Sequence, residues 1–237
     1  MNKQLSWTHL PAGQNGFFRA PVLISGDTEA VLIDGGFTFS DGRAVVEAIL
    51  ATGKILTTIY VSQSDPDFYF SIKPIKDAFP NARVLAASDT IASINGNIEK
   101  KLAVWGPQLN DNGPQTLADI LMPEAFDGAS FTVDGDTIEI VNADGLENRR
   151  YVFVPALNAV FGGVMIFADA HVWTADTATP ELRSAWITNL DTIAARKPAI
   201  VVAGHMTIDA ATDASAIAHT KAYLIAFDEE RVKASDS

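Results

Sequence analysis

The stretch "IYVSQSDPDFYFS", residues 59–71, decides how this chain is read. It closes an apolar run, ILTTIYV, places Asp65 and Asp67 around Pro66, and returns at once to aromatic residues. A short continuous apolar run bounded by turn signals reads as a buried strand, and paired acids at its end call for a reason. Three are open: a metal site, what remains of one, or a turn in which Pro66 fixes φ and the acids favour the N-terminus of the next helix.

The flanking segments alternate between strand and helix signals without a linker. "APVLISGDTEAVLIDGG" reads as a hairpin whose strands meet at a Gly-Asp turn. "SDGRAVVEAILATG" follows as an amphipathic helix capped by Ser40 or Asp41, with Val45, Val46, Ile49 and Leu50 apolar and Gly53 as its stop. After the strand "KILTTIYVS", the spacing predicts a short helix around Pro74, a strand at "RVLAAS", and a longer helix from Ser88 that breaks at Gly106-Pro107. The second half restarts with "FDGASFTVDGDTIEIVNADG", which alternates as antiparallel strands do across Asp-Gly turns. "RRYVFVPALNAVFGGVMIF" adds two strands, "PELRSAWITNLDTIAARKP" a helix, "AIVVAGH" a buried strand, and the segment from Ala211 a closing helix. Hairpin, helix and strand in each half predict an α/β sandwich of two related halves folding as one domain, residues 1–237.

Composition narrows the chemistry. A chain of 237 residues, 48% hydrophobic, can bury a large core and carries none of the polar bias of disorder. Its apolar runs are far shorter than the roughly 20 residues that span a bilayer, and the N-terminus shows no apolar core of signal-peptide length. A soluble, cytoplasmic protein is the expectation. The formal charge of −12 and pI near 4.6 repel phosphate backbones and anionic lipids, so neither nucleic acid nor membrane is an expected partner. With no cysteine, any metal must be held by nitrogen and oxygen.

Three motifs in order then carry a family likeness. "AVLIDGG" ends an early strand in Asp34, "IYVSQSDPDFYFS" follows the next strand, and "VVAGH" ends a late strand in His205. From about Pro21 to His205 the chain resembles the metallo-β-lactamase-fold proteins, in which an HxHxDH motif stands after that second strand. The resemblance implies an αββα sandwich of two mixed β-sheets flanked by helices. It also implies an active site at one edge between the sheets, where one or two zinc ions activate a water.

Set on that pattern, the sequence departs from it at most ligand positions. Gln63, Asp65 and Phe68 stand where three histidines would be, and only Asp67 keeps its type. The next histidine would fall near 148–150, yet none occurs between His9 and His171. The bridging acid falls on Val164, or on Asp169 in a shifted register, while His205 stands. A dinuclear zinc centre is therefore not expected. A single, weakly held divalent cation at Asp65, Asp67 and His205 stays open, and such an oxygen-rich set suits Mg²⁺, Mn²⁺ or Ca²⁺ better than zinc. Asp67 and His205 are the candidate catalytic pair, with Gln63, His171 and Trp173 as candidates for touching a ligand. Asp34 reads as the acid that orients ligands in the resembled family, or as a plain turn acid. Arg149 and Arg150 are expected at a solvated hairpin end, with carboxylate or phosphate binding as the alternative.

Two functions follow. One is a member of hydrolase ancestry that keeps its pocket for a small-molecule ligand, or its scaffold for assembly, without hydrolysis. The other is an active hydrolase of an ester, lactone or amide, using one metal or a water positioned by Asp67 and His205. Self-association stays open.

Overall fold

Strand alternation builds the core. In β2 (Val22–Ser25) and β3 (Glu29–Ile33), which follow β1 (Ser6–His9), Val22, Ile24, Val31 and Ile33 face one apolar cluster while Leu23, Ala30 and Leu32 face another. Both faces are covered, which is why these strands are apolar without interruption. This computed structural model describes residues 5–235; residues 1–4, part of the stretch on which the export expectation rests, lie outside them.

After β3 come α1 (Phe39–Thr52), β4 (Ile55–Val61), α2 (Pro66–Tyr69), α3 (Ile72–Ala78), β5 (Arg83–Ala86), α4 (Ser88–Leu109) and β6 (Glu124–Ala125). The six strands form one sheet in the order β1-β2-β3-β4-β5-β6, antiparallel up to β3 and parallel beyond. The second half holds β7 (Ser130–Val133), β8 (Asp136–Asn142), β9 (Arg150–Val154), β10 (Ala159–Phe161), β11 (Phe167–Ala168), α5 (Pro180–Ala195), β12 (Ile200–Val202), β13 (His205–Met206) and α6 (Ser215–Ser235). Its sheet runs β12-β10-β9-β8-β7, with only β10 and β12 parallel, and β11 pairs with β13 in a short ribbon.

The layers follow from the two clusters. Ile24, Val31, Tyr60 and Leu85 meet Val133, Ile138, Tyr151 and Val154 between the sheets. Val45, Ile49, Ile75 and Ile94 cover the outer face of the first sheet, and Trp186, Leu190, Ile217 and Leu224 of α5 and α6 join the cluster that includes the second sheet. The architecture is the αββα sandwich of two mixed sheets that the resemblance implied.

Three local readings change. Helix α1 is capped by Thr38, not Ser40 or Asp41, and Asp41 closes a reciprocal capping box onto the Thr38 backbone. Helix α4 runs past Gly106-Pro107 to Leu109, because Pro107 removes only a bond to the carbonyl of exposed Ala103, which water can satisfy. The strand read as ending in His205 stops at Val202, and His205–Met206 forms the separate β13, while β1, β6 and β11 are too short to show a period and are defined by long-range pairing. Among the described residues no helix is long and apolar enough to cross a membrane.

Candidate functional site

The site begins where β3 stops. Asp34 takes a left-handed conformation, φ 61°, which a short polar side chain tolerates, and its carboxylate is 1% exposed. It accepts hydrogen bonds from Ser62 N at 2.6 Å and Ser62 Oγ at 2.9 Å, tying the end of β3 to the end of β4. The two glycines that follow allow a close approach: the Gly35 amide donates to the Phe68 carbonyl at 2.8 Å, and a Cβ on Gly35 would stand 3.1 Å from that oxygen and 2.9 Å from Ser71 Oγ.

Asp34 also pairs with Arg19, a residue the sequence reading passed over. Arg19 is 1% exposed; its guanidinium donates to Asp34 and to the Gly204 carbonyl and lies over the Phe68 ring, 3.9 Å from the centroid. Burial pulls the Arg19 pKa down and the Asp34 pKa up; their mutual attraction opposes both shifts, the charge of Asp67 also opposes the first, and the Ser62 hydrogen bonds oppose the second. A lone arginine in the apolar run "GFFRAPVLI" was the available signal. Phe17 and Phe18, just before it, both have φ near +57°, a rare conformation for bulky residues, so this segment is held against its local preference.

The quoted loop carries the acids. Asp65 takes the N-cap position of α2, yet its side chain makes no cap bond and instead meets Lys101 Nζ of α4 at 2.9 Å. Asp67, in the first turn, has Oδ2 3.4 Å from His205 Nε2, and each side chain keeps 12% of its surface. His205 Nδ1 lies 2.9 Å from the Phe17 carbonyl. A carbonyl only accepts, so Nδ1 carries the proton and Nε2 presents a lone pair to Asp67. Phe167 stacks on the imidazole at 4.9 Å, and the strand ribbon that pairs Phe167 with His205 also bridges His205 to Arg19. Burial, then the charge of Asp65, pushes the Asp67 pKa up to about 7, against the pull of Arg19. Burial, then Arg19, pushes His205 down to about 3.

The other candidates divide. Gln63 is buried, and its Oε1 accepts from Ser64 N at 2.6 Å and Asn148 Nδ2 at 2.8 Å, so the oxygen is engaged within the protein. Phe68 and Val164 are buried in one apolar cluster, whereas Asp169 is exposed. His171 Nδ1 lies 3.3 Å from the Tyr223 hydroxyl of α6, and Trp173 is 60% exposed. Arg149 and Arg150 are not a solvated hairpin end; both are buried, because β9 starts between the helices α4 and α5. Arg150 grips Asp89 of α4 through two 2.6 Å contacts. A cavity of about 340 Å³ lies elsewhere, beside α4, lined by Glu99, Leu102, Gly106, Pro107 and Leu117.

This donor set does not fit a zinc pair. Asp65 is neutralised by Lys101, Gln63 is engaged, and a guanidinium already balances Asp34 and acts on Asp67. Among the described residues no group of three or more His, Asp or Glu side chains is arranged to hold a metal ion.

Comparison with known proteins agrees on architecture. A metallo-beta-lactamase from Pontibacter korlensis superposes with a TM-score of 0.63 at 17% identity, over 93% of this chain and 99% of that one. DIM-1 metallo-beta-lactamase exposed to ceftazidime gives 0.60 at 17% identity, over 95% and 98% of the two chains. VMB-1 at pH 5.5 gives 0.59 at 18%, over 89% and 86%. No family model matches the chain, and no curated protein matches it. At these identities the likeness is one of fold: the chain has the metallo-β-lactamase fold.

Proposed function

We propose that this chain binds a small-molecule ligand at the rim formed by Asp65, Asp67 and His205, on a hydrolase-like fold that no longer relies on a dinuclear zinc centre. Arg19 carries the reading. A guanidinium stays charged at any physiological pH, and this one lies buried against Asp34, over Phe68, in the field of Asp67 and beside Gly204 and His205. Those are the positions, or the neighbours of positions, that the resemblance assigns to metal binding. A divalent ion entering there would be repelled by a fixed cation and would have to compete with it for the same carboxylates. Arg19 thus supplies the positive charge from within the chain.

A second reading rests on one observation, the 3.4 Å pairing of Asp67 with His205 at a partly open rim. These groups have the types and spacing to orient a water for attack on an ester, lactone or amide carbon. The proton would pass to the pair and then to the leaving alcohol or amine.

Elemental analysis of protein purified without added metal or chelator, followed by a panel of esters, lactones, phosphoesters and β-lactams with and without Zn²⁺ or Mn²⁺, separates the two. The binding reading expects less than one zinc per chain and no turnover above buffer. Two zinc ions that survive dialysis would overturn it, as would turnover that falls on the order of 10²-fold in Asp67→Asn.

A further inference from the structure

Arg149, the last residue before β9, is 4% exposed, and both of its terminal nitrogens are buried without a hydrogen-bond partner. Native proteins rarely leave such groups unsatisfied, and a buried charge most of all requires a counter-charge. The guanidinium is otherwise well held, lying over the fully buried Trp186 ring of α5 at 4.9 Å. Trp186 is itself fixed by its indole N–H, which donates to the Met165 carbonyl at 2.9 Å. The fork is therefore rigid and under-used. Its nearest acid is Asp176, whose Oδ2 stands 3.6 Å from Nη2, beyond hydrogen-bond range, on a side chain 48% open to solvent. Asp65 at the rim is close enough for its charge to act on Arg149, but it is committed to Lys101.

A planar five-donor fork with no bond at its tips matches a two-oxygen anion better than any other group. We propose that Arg149 is a site for a small oxyanion, the carboxylate or phosphate group of the ligand, and that Asp176 stands in for it loosely until the ligand arrives. Asp176 is a poor occupant: too distant for hydrogen bonds and anchored from the surface. A free oxyanion that displaced Asp176 would meet the fork at about 2.7–2.9 Å, the usual charge-assisted range. This deepens the binding reading by naming the chemical class of the ligand's anchoring group.

The test uses the full chain with inorganic phosphate and acetate as probes and chloride as the control, followed by calorimetry and by the guanidinium ¹⁵N signals of Arg149. Asp176→Asn removes the internal competitor at an exposed position. It is expected to bind phosphate or acetate at least ten-fold more tightly than the parent, with the Arg149 signals shifting on titration and chloride giving no such shift. Which probe gains more distinguishes a phosphate-bearing from a carboxylate-bearing ligand. Arg149→Lys, which keeps the charge but loses the fork, should lose that gain. Unchanged affinity in Asp176→Asn, equal response to chloride, or retained affinity in Arg149→Lys would each overturn the proposal. Should Arg149→Lys fail to fold, the Arg149 signals in Asp176→Asn decide alone. Oxyanion binding at Arg149 combined with hydrolytic turnover would defeat the functional reading and leave this site standing; the reverse pattern would defeat only the site.

Discussion

Arg19→Met removes the internal cation while keeping an unbranched apolar stem over Phe68. The Asp34 carboxylate would then be held by Ser62 N and Oγ alone, at 1% exposure. The Gly204 carbonyl still accepts from Ala20 N at 2.8 Å, so it is not left bare. The lost cation–π contact, up to about 2 kcal/mol when desolvated, is partly replaced by a sulfur–aromatic contact of about 0.3–1.5 kcal/mol. The main effect is one buried ion pair broken from one side, which costs about 3–5 kcal/mol. That is a large share of the roughly 5–15 kcal/mol that holds a domain together, and lowers Tm by roughly 10 °C for a chain of this size. Urea unfolding at pH 7 measures it. The partner variant is Arg19→Met with Asp34→Asn, in which no charge stays buried and most of the loss should return. The sign of the pH dependence follows: without Arg19 the folded-state pKa of Asp34 rises further, so the deficit grows as pH rises through it and shrinks in acid. A loss under about 1 kcal/mol at pH 7, or a double variant as unstable as the two single losses added, would refute the account of Arg19 as the charge that balances this site.

Chelator should leave Tm nearly unchanged, because Phe68 and Val164 fill their positions with buried apolar surface; a fall of many degrees in a thermal scan would show a structural ion. The Asp67–His205 pair gives a pH signature, measured in chelator. Asp67, raised to about 7 when folded, stabilises below the unfolded value near 4 and loses that contribution as pH rises to about 7. His205, lowered to about 3, does the opposite: the unfolded imidazole takes up a proton first, so stability rises with pH from about 3 to about 6.5. Between about pH 4 and 6.5 the two offset each other. Asp67→Asn should therefore gain stability with rising pH by on the order of 1 kcal/mol per unit relative to the parent. Parallel pH profiles of the urea midpoint in the two proteins would contradict the paired shifts.

Amino-acid order alone carried the architecture. Period-two strands such as Asp136–Asn142, apolar runs such as Ile55–Val61 and the stop at Gly53 are local signals, written within a few residues of the structure they specify. Asp67 and His205 could be named because, after recognisable strands, they keep the residue types that the resembled family places there. What they meet could not be read, since it depends on pairings across the fold. Arg19 precedes Asp34 by 15 residues and Gly204 by 185, and nothing near it in the chain says that its charge turns inward. Arg149 and Arg150 looked like hairpin-end cations because charge usually means solvent; only the packing of α4 and α5 against the start of β9 buried them and left one fork bonded and the other open. Backbone periodicity is decided by neighbours in sequence, whereas burial of a charge is decided by which distant surfaces close over it, and here only the tertiary structure made that choice.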